Sequence, residues 1–80
     1  MTTLYVNVGR RDGVRAAELA RIVRERTGLA DGDIGKVRVR QRHTFVGIRT
    51  DRLEHAMSTL AGTPWGDRTI SVEPAKAGRP

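Results

Sequence analysis

The chain has 80 residues, with 15 lysine and arginine side chains against 9 aspartates and glutamates, a formal net charge of +6 at pH 7. That length allows one small domain with one thin core, and it excludes a nucleotide-hydrolysing domain together with anything else. Cysteine is absent, which excludes disulfide staples and thiolate metal sites, and His43 and His55 are the sole histidines, too few for a zinc site without carboxylate help.

Residues 4–8 alternate and favour β-branched side chains, so they read as a strand with Leu4, Val6 and Val8 on one side and Tyr5 and Asn7 on the other. A turn bracketed by Gly9 and Gly13 follows, with Arg10 and Arg11 expected in a mobile loop. Helical spacing of Ala16, Leu19, Ala20, Ile22 and Val23 predicts a helix over 16–27, stopped by Gly28. Its outer face carries Glu18, Arg21, Arg24 and Glu25, spaced for pairing within the helix.

After a loop, residues 34–40 end in a second strand, with Val37 and Val39 facing one side and Lys36, Arg38 and Arg40 the other. Gln41 and Arg42 make a short connection to a hairpin partner at 43–48. There Thr44, Val46 and Ile48 share one face, His43 and Phe45 the other. A second helix is expected from Asp51, with Glu54 three residues on forming a capping-box pair and Leu53, Ala56, Met57 and Leu60 as its apolar stripe. Gly62 ends it, residues 63–67 make a turn in which Trp65 packs over the end of the core, and residues 68–73 form the last strand. Residues 74–80 are expected to be a disordered basic tail behind a domain spanning 1–73.

The order βαββαβ predicts an α+β, ferredoxin-like domain: an antiparallel four-stranded sheet with both helices on one face. Each helix has one apolar stripe, so the other sheet face is left open. Two of the three aromatic rings, Tyr5 and Phe45, fall on that open face among cations. A thin core that leaves rings outside implies a ligand that covers them. Thirteen of the basic residues are arginine, which suits phosphate recognition better than lysine. Bases stacking on rings beside phosphate-neutralising cations fit that pattern.

Residues 4–8 resemble the first-strand ribonucleoprotein submotif of RNA-recognition motifs, with the aromatic at the second position. Residues 42–48 resemble the third-strand submotif, His43 and Phe45 standing at its two stacking positions. Arg42 stands where that family prefers glycine, and His43 replaces Phe or Tyr. A resemblance covering most of the chain is to the DbpA-type RNA-binding domain of bacterial DEAD-box RNA helicases, carried by Ile34-Gly35-Lys36-Val37, by His43-Thr44-Phe45-Val46, by Val14-Arg15 before the first helix and by the basic last strand starting near Arg68. In that family a glycine often stands just ahead of a basic residue before the last strand; here Asp67 intervenes between Gly66 and Arg68.

The resemblance implies a non-catalytic appendage that tethers a helicase core of the same polypeptide to structured, typically ribosomal, RNA and so serves ribosome assembly. ATP would be bound by the parent enzyme alone. This chain has neither a phosphate-binding loop ending in Lys-Ser/Thr nor an Asp-Glu-Ala-Asp box. The expected RNA-binding residues are Tyr5, Asn7, Arg10, Arg11, Lys36, Arg38, Arg40, Arg42, His43 and Phe45; no catalytic residue, metal or cofactor is expected. The alternative is a protein-interaction or dimerisation module using the open face, with Tyr5 and Phe45 as hot spots. A weaker alternative is an intact small ribosome-associated protein. No apolar run is long enough to span a bilayer, and the first residues lack the pattern of a signal peptide, so a cytoplasmic location without a membrane partner is expected.

Overall fold

Leu4, Val6 and Val8 are fully buried while Tyr5 and Asn7 between them are half-buried, so the alternation of the first strand sets the two faces of the sheet. The computed structural model describes residues 1–75. Its elements are β1 (Thr2–Val6), α1 (Ala16–Thr27), β2 (Ile34–Val39), β3 (Thr44–Ile48), α2 (Leu53–Leu60), β4 (Pro64–Trp65), β5 (Arg68–Thr69) and β6 (Val72–Pro74). Four strands pair antiparallel in the order β2-β3-β1-β6, and β4 and β5 form a small separate hairpin. This is the expected α+β, ferredoxin-like arrangement. Both helices cover the face that carries Leu4, Val6, Val46 and Ile48, adding Leu19 and Val23 from α1 and Ala56 and Leu60 from α2 to one core.

α1 ends where expected. Gly28 takes a left-handed conformation (φ 71°), and its N–H closes on the Arg24 carbonyl at 2.9 Å. The intrahelical pairing of Glu18, Arg21 and Glu25 does not form; Arg24 instead reaches forward to Asp31 at 2.7 Å. His55 is exposed, and its Nε2 lies 2.6 Å from the Thr27 carbonyl, tying α2 to the last turn of α1.

Three further expectations are corrected. α2 begins at Leu53, after a 3-10 turn over Thr50–Arg52, and Asp51 caps nothing. The neighbouring Arg49 captures the Asp51 carboxylate at 3.0 Å, which removes it from the backbone. The last strand is broken in two. Gly66, at φ 60°, folds β5 back on β4, and Ile70 turns into the core through hydrogen bonds with Thr63 and Gly62. Only β6 then pairs with β1; it runs to Pro74, and Ala75 donates to the Thr3 carbonyl at 2.9 Å. The remainder of the expected tail, residues 76–80, lies outside the described residues.

β2 contains a bulge. Ile34 sits opposite Ile48 and Val37 opposite Val46, so Gly35 and Lys36 together face Gly47. The extra residue brings both Ile34 and Val37 to the core side although they are an odd number of residues apart. The two strands approach closely at this point: a Cβ on Gly47 would lie 3.2 Å from the Gly35 Cα, a tight contact.

Candidate functional site

Residues two apart on a strand share a face, and directly opposed residues on neighbouring strands lie about 5 Å apart. Those two spacings bring Tyr5, His43 and Phe45 into mutual contact on the open face. Tyr5 stacks on His43 with ring centres 5.3 Å apart, and Phe45 meets both edge-on, at 5.9 Å from Tyr5 and 4.9 Å from His43. Each ring is half-buried, so the rings are less naked than the sequence suggested while remaining outside the core.

One transverse row crosses all four strands of the sheet: Arg38 opposite Phe45, Phe45 opposite Tyr5, Tyr5 opposite Glu73. Along β2, Lys36, Arg38 and Arg40 are all exposed, and none forms an ion pair among the described residues. Period-two alternation beyond the bulge therefore leaves the three cations exposed along one edge.

Arg10 and Arg11 occupy a 3-10 turn, not a free loop. Arg10 N–H bonds the Arg40 carbonyl at 2.7 Å and Arg11 N–H the Gln41 carbonyl at 3.0 Å. Gly9 permits this approach, since a Cβ there would lie 2.5 Å from both the Arg40 oxygen and the His43 nitrogen. Arg10, Arg11, Arg40 and Arg42 thus gather at one end of the sheet, next to His43.

Asp12 closes the turn. Its carboxylate accepts the Gly9 N–H at 3.0 Å and a guanidinium N–H of Arg68 at 3.3 Å, and its carbonyl accepts the Trp65 indole N–H at 2.8 Å. The Gly9 bond, with Arg68 and Arg11 adding to it, holds this carboxyl below the ordinary value of 3.8 against the opposing effect of being covered. Residues 64–69 are in this way clamped onto the arginine turn. Sequence reading missed the clamp; the signal for it was an aspartate three residues after Gly9, in position to bond that backbone N–H.

Asn7 lies on the open face, but its amide serves the fold: Nδ2 donates to the Thr69 carbonyl at 3.1 Å and Oδ1 accepts the Ser71 N–H at 2.8 Å. It bridges the break between β5 and β6 alongside the backbone bond from the Asn7 N–H to the Ser71 carbonyl at 3.1 Å. Trp65 packs against the core as expected. Among the described residues no three acidic or histidine groups gather as a metal site would need.

The structure therefore unites nine of the ten expected residues in two adjoining surfaces. One is an aromatic and cationic sheet face, the other an arginine-rich end, and the tenth residue, Asn7, is held between them. A family model describing the DbpA RNA binding domain matches residues 3–74. The chain belongs to that family. Curated proteins give no match. The DbpA-type match spans both helices and every ring and cation of the open face, and the chain is an RNA-binding module whose partner is RNA. No helix among the described residues is long and apolar enough to cross a membrane.

Proposed function

We propose that this domain holds RNA on the open sheet face, with unpaired bases stacking on Tyr5, His43 and Phe45 and phosphates meeting Lys36, Arg38 and Arg40. Arg10, Arg11 and Arg42 extend the contact to the end of the sheet, and Asn7 keeps the last strand in place beside it. The observation that carries the reading is the mutual packing of three rings outside the core, beside three cations that have no acidic partner among the described residues. Rings of this kind are sequence-tolerant stacking platforms, and nearby cations supply the salt-dependent part of the affinity.

In its wider setting the domain tethers structured, ribosomal RNA to a DEAD-box helicase core in the same polypeptide, in the cytoplasm, during ribosome assembly. Tethering raises the local concentration of RNA at the core without any chemistry in the tether. The domain itself turns over no ATP.

The test is a titration of the isolated chain with a stem-loop RNA, without nucleotide, at several salt concentrations. The expected result is binding that weakens steeply with salt, with amide shifts at residues 5, 38, 40, 43 and 45. A partner bound through the same rings with no salt dependence would favour protein docking over RNA. ATP turnover above that of a catalytically dead control would overturn the tethering role.

A further inference from the structure

The open face carries three rungs from end to end, and rings occupy only two of them. Arg40, His43 and Asn7 make the first rung, Arg38, Phe45 and Tyr5 the second. The third comprises Lys36 and Gly35 on β2, Gly47 on β3 and Thr3 on β1, with Ala75 beyond it. No ring stands on this rung, and the face sinks there into a groove of about 710 Å³ lined by Met1, Thr3, Lys36, Arg38, Phe45 and Gly47, among others. Its floor is main chain at Gly47 and the side chain of Thr3. Phe45 forms one wall, and the cations of β2 form the rim.

Two observations bear on what would enter. The Met1 sulfur rests on Gly35, where a Cβ would lie only 2.7 Å from it, and Met1 is 69% exposed, so a flexible thioether closes the far end. Thr2 spends its hydroxyl on Thr50 at 2.9 Å, whereas the Thr3 hydroxyl, on the opposite face, has no such partner among the described residues. The groove thus offers an aromatic wall, a soft apolar end, one hydroxyl able to donate and accept, and three cations, Lys36, Arg38 and Arg40.

Resting on the reading of the sheet face given above, we infer that this groove is a third nucleotide site. The RNA strand that covers the rings lays one further unpaired ribonucleotide here. Its base sits over Gly47 and Thr3 against the outer side of Phe45, and its phosphate lies at Lys36 and Arg38. Continuity with the aromatic rungs and the positive rim argue for the same strand as occupant.

NMR titration with single-stranded RNAs of two and three nucleotides tests the groove. The chain is expected to bind the longer strand about tenfold more tightly, the scale of one added stacked base. Shifts at Thr3, Gly47 and Ala75 should appear only with the longer strand. Thr3→Glu and Thr3→Asp both put a carboxylate at an exposed position; each should remove most of that tenfold gain while changing two-nucleotide binding less than about twofold. A chain that binds two nucleotides and gains nothing at three, or variants that keep the full gain, would overturn the groove and leave the face reading intact. A chain that binds neither strand overturns both.

Discussion

Arg10 donates its backbone N–H to the carbonyl of Arg40 at 2.7 Å, so two arginines far apart in sequence are held side by side by main chain alone. Their side chains remain exposed. The turn before α1 and the turn between β2 and β3 consequently behave as one unit, and Gly9 is the residue on which they meet.

Gly9→Ala should therefore destabilise the fold. A methyl group 2.5 Å from two backbone atoms forces the two turns apart, and overpacking of this kind costs about 1–3 kcal/mol. Urea denaturation measures the loss. A variant as stable as the parent would show that the two turns adjust freely.

Tyr5→Ala and Phe45→Ala should each weaken binding to an unpaired RNA segment by about 1–3 kcal/mol. The cost to folding should be smaller than the roughly 3–5 kcal/mol of a core Phe truncation, because these rings pack on one another outside the core. A melting curve and a binding curve on the same variant separate the two effects. Phe45→Ala that unfolds the domain, or that binds RNA as the parent does, would remove the sheet face from consideration and leave Arg10, Arg11 and Arg42.

Arg38→Ala and Arg40→Ala should each lower the slope of log affinity against log salt by roughly 0.7–0.9, the effect of one lost phosphate contact. Stability should hardly change, since both side chains are exposed and unpaired with acid among the described residues. Unchanged slopes in both variants would mean that phosphates do not follow β2.

Asp12 makes the clamp sensitive to acid. Its folded value lies below the ordinary 3.8, so the stability it contributes is fully present above that ordinary value and is lost as pH falls through the lowered one. Asp12→Asn should weaken the clamp at neutral pH and flatten the acid limb of the stability curve. Thermal melts between pH 2 and pH 7 read both. An acid limb identical to the parent's would place the sensitivity on other carboxylates.

Period-two alternation was enough to place Tyr5, Phe45, Arg38 and Arg40 on one face, because a strand with one buried side has no freedom to choose. The helices were legible for the same reason. The break at Ile70 was not, since residues 68–73 alternate well enough for one strand; only the positive φ at Gly66 and the hydrogen bonds of Ile70 decide the matter in three dimensions. Asn7 was read by its face and not by its reach, and its amide is spent on residues more than sixty positions away. The capping role expected of Asp51 failed through competition from an adjacent arginine. For Ile70 and Asn7 local pattern gave the side on which the residue sits, while hydrogen bonds to other elements decided what it does there; for Asp51 a neighbour two residues away did.

The row that ends at Glu73 has a directional effect. Four strands at about 4.8 Å spacing put Arg38 and Glu73 about 14 Å apart, beyond the roughly 8 Å over which charges feel one another at physiological salt. Glu73 does not neutralise Arg38; each acts alone on whatever lies above it. A polyanion approaching this face is drawn down along β2 and pushed away from β6, so it experiences a torque as well as an attraction. The domain's excess positive charge would bind a backbone in any orientation. On the reading proposed above, its uneven placement across four strands favours one alignment, with the chain of phosphates running parallel to β2.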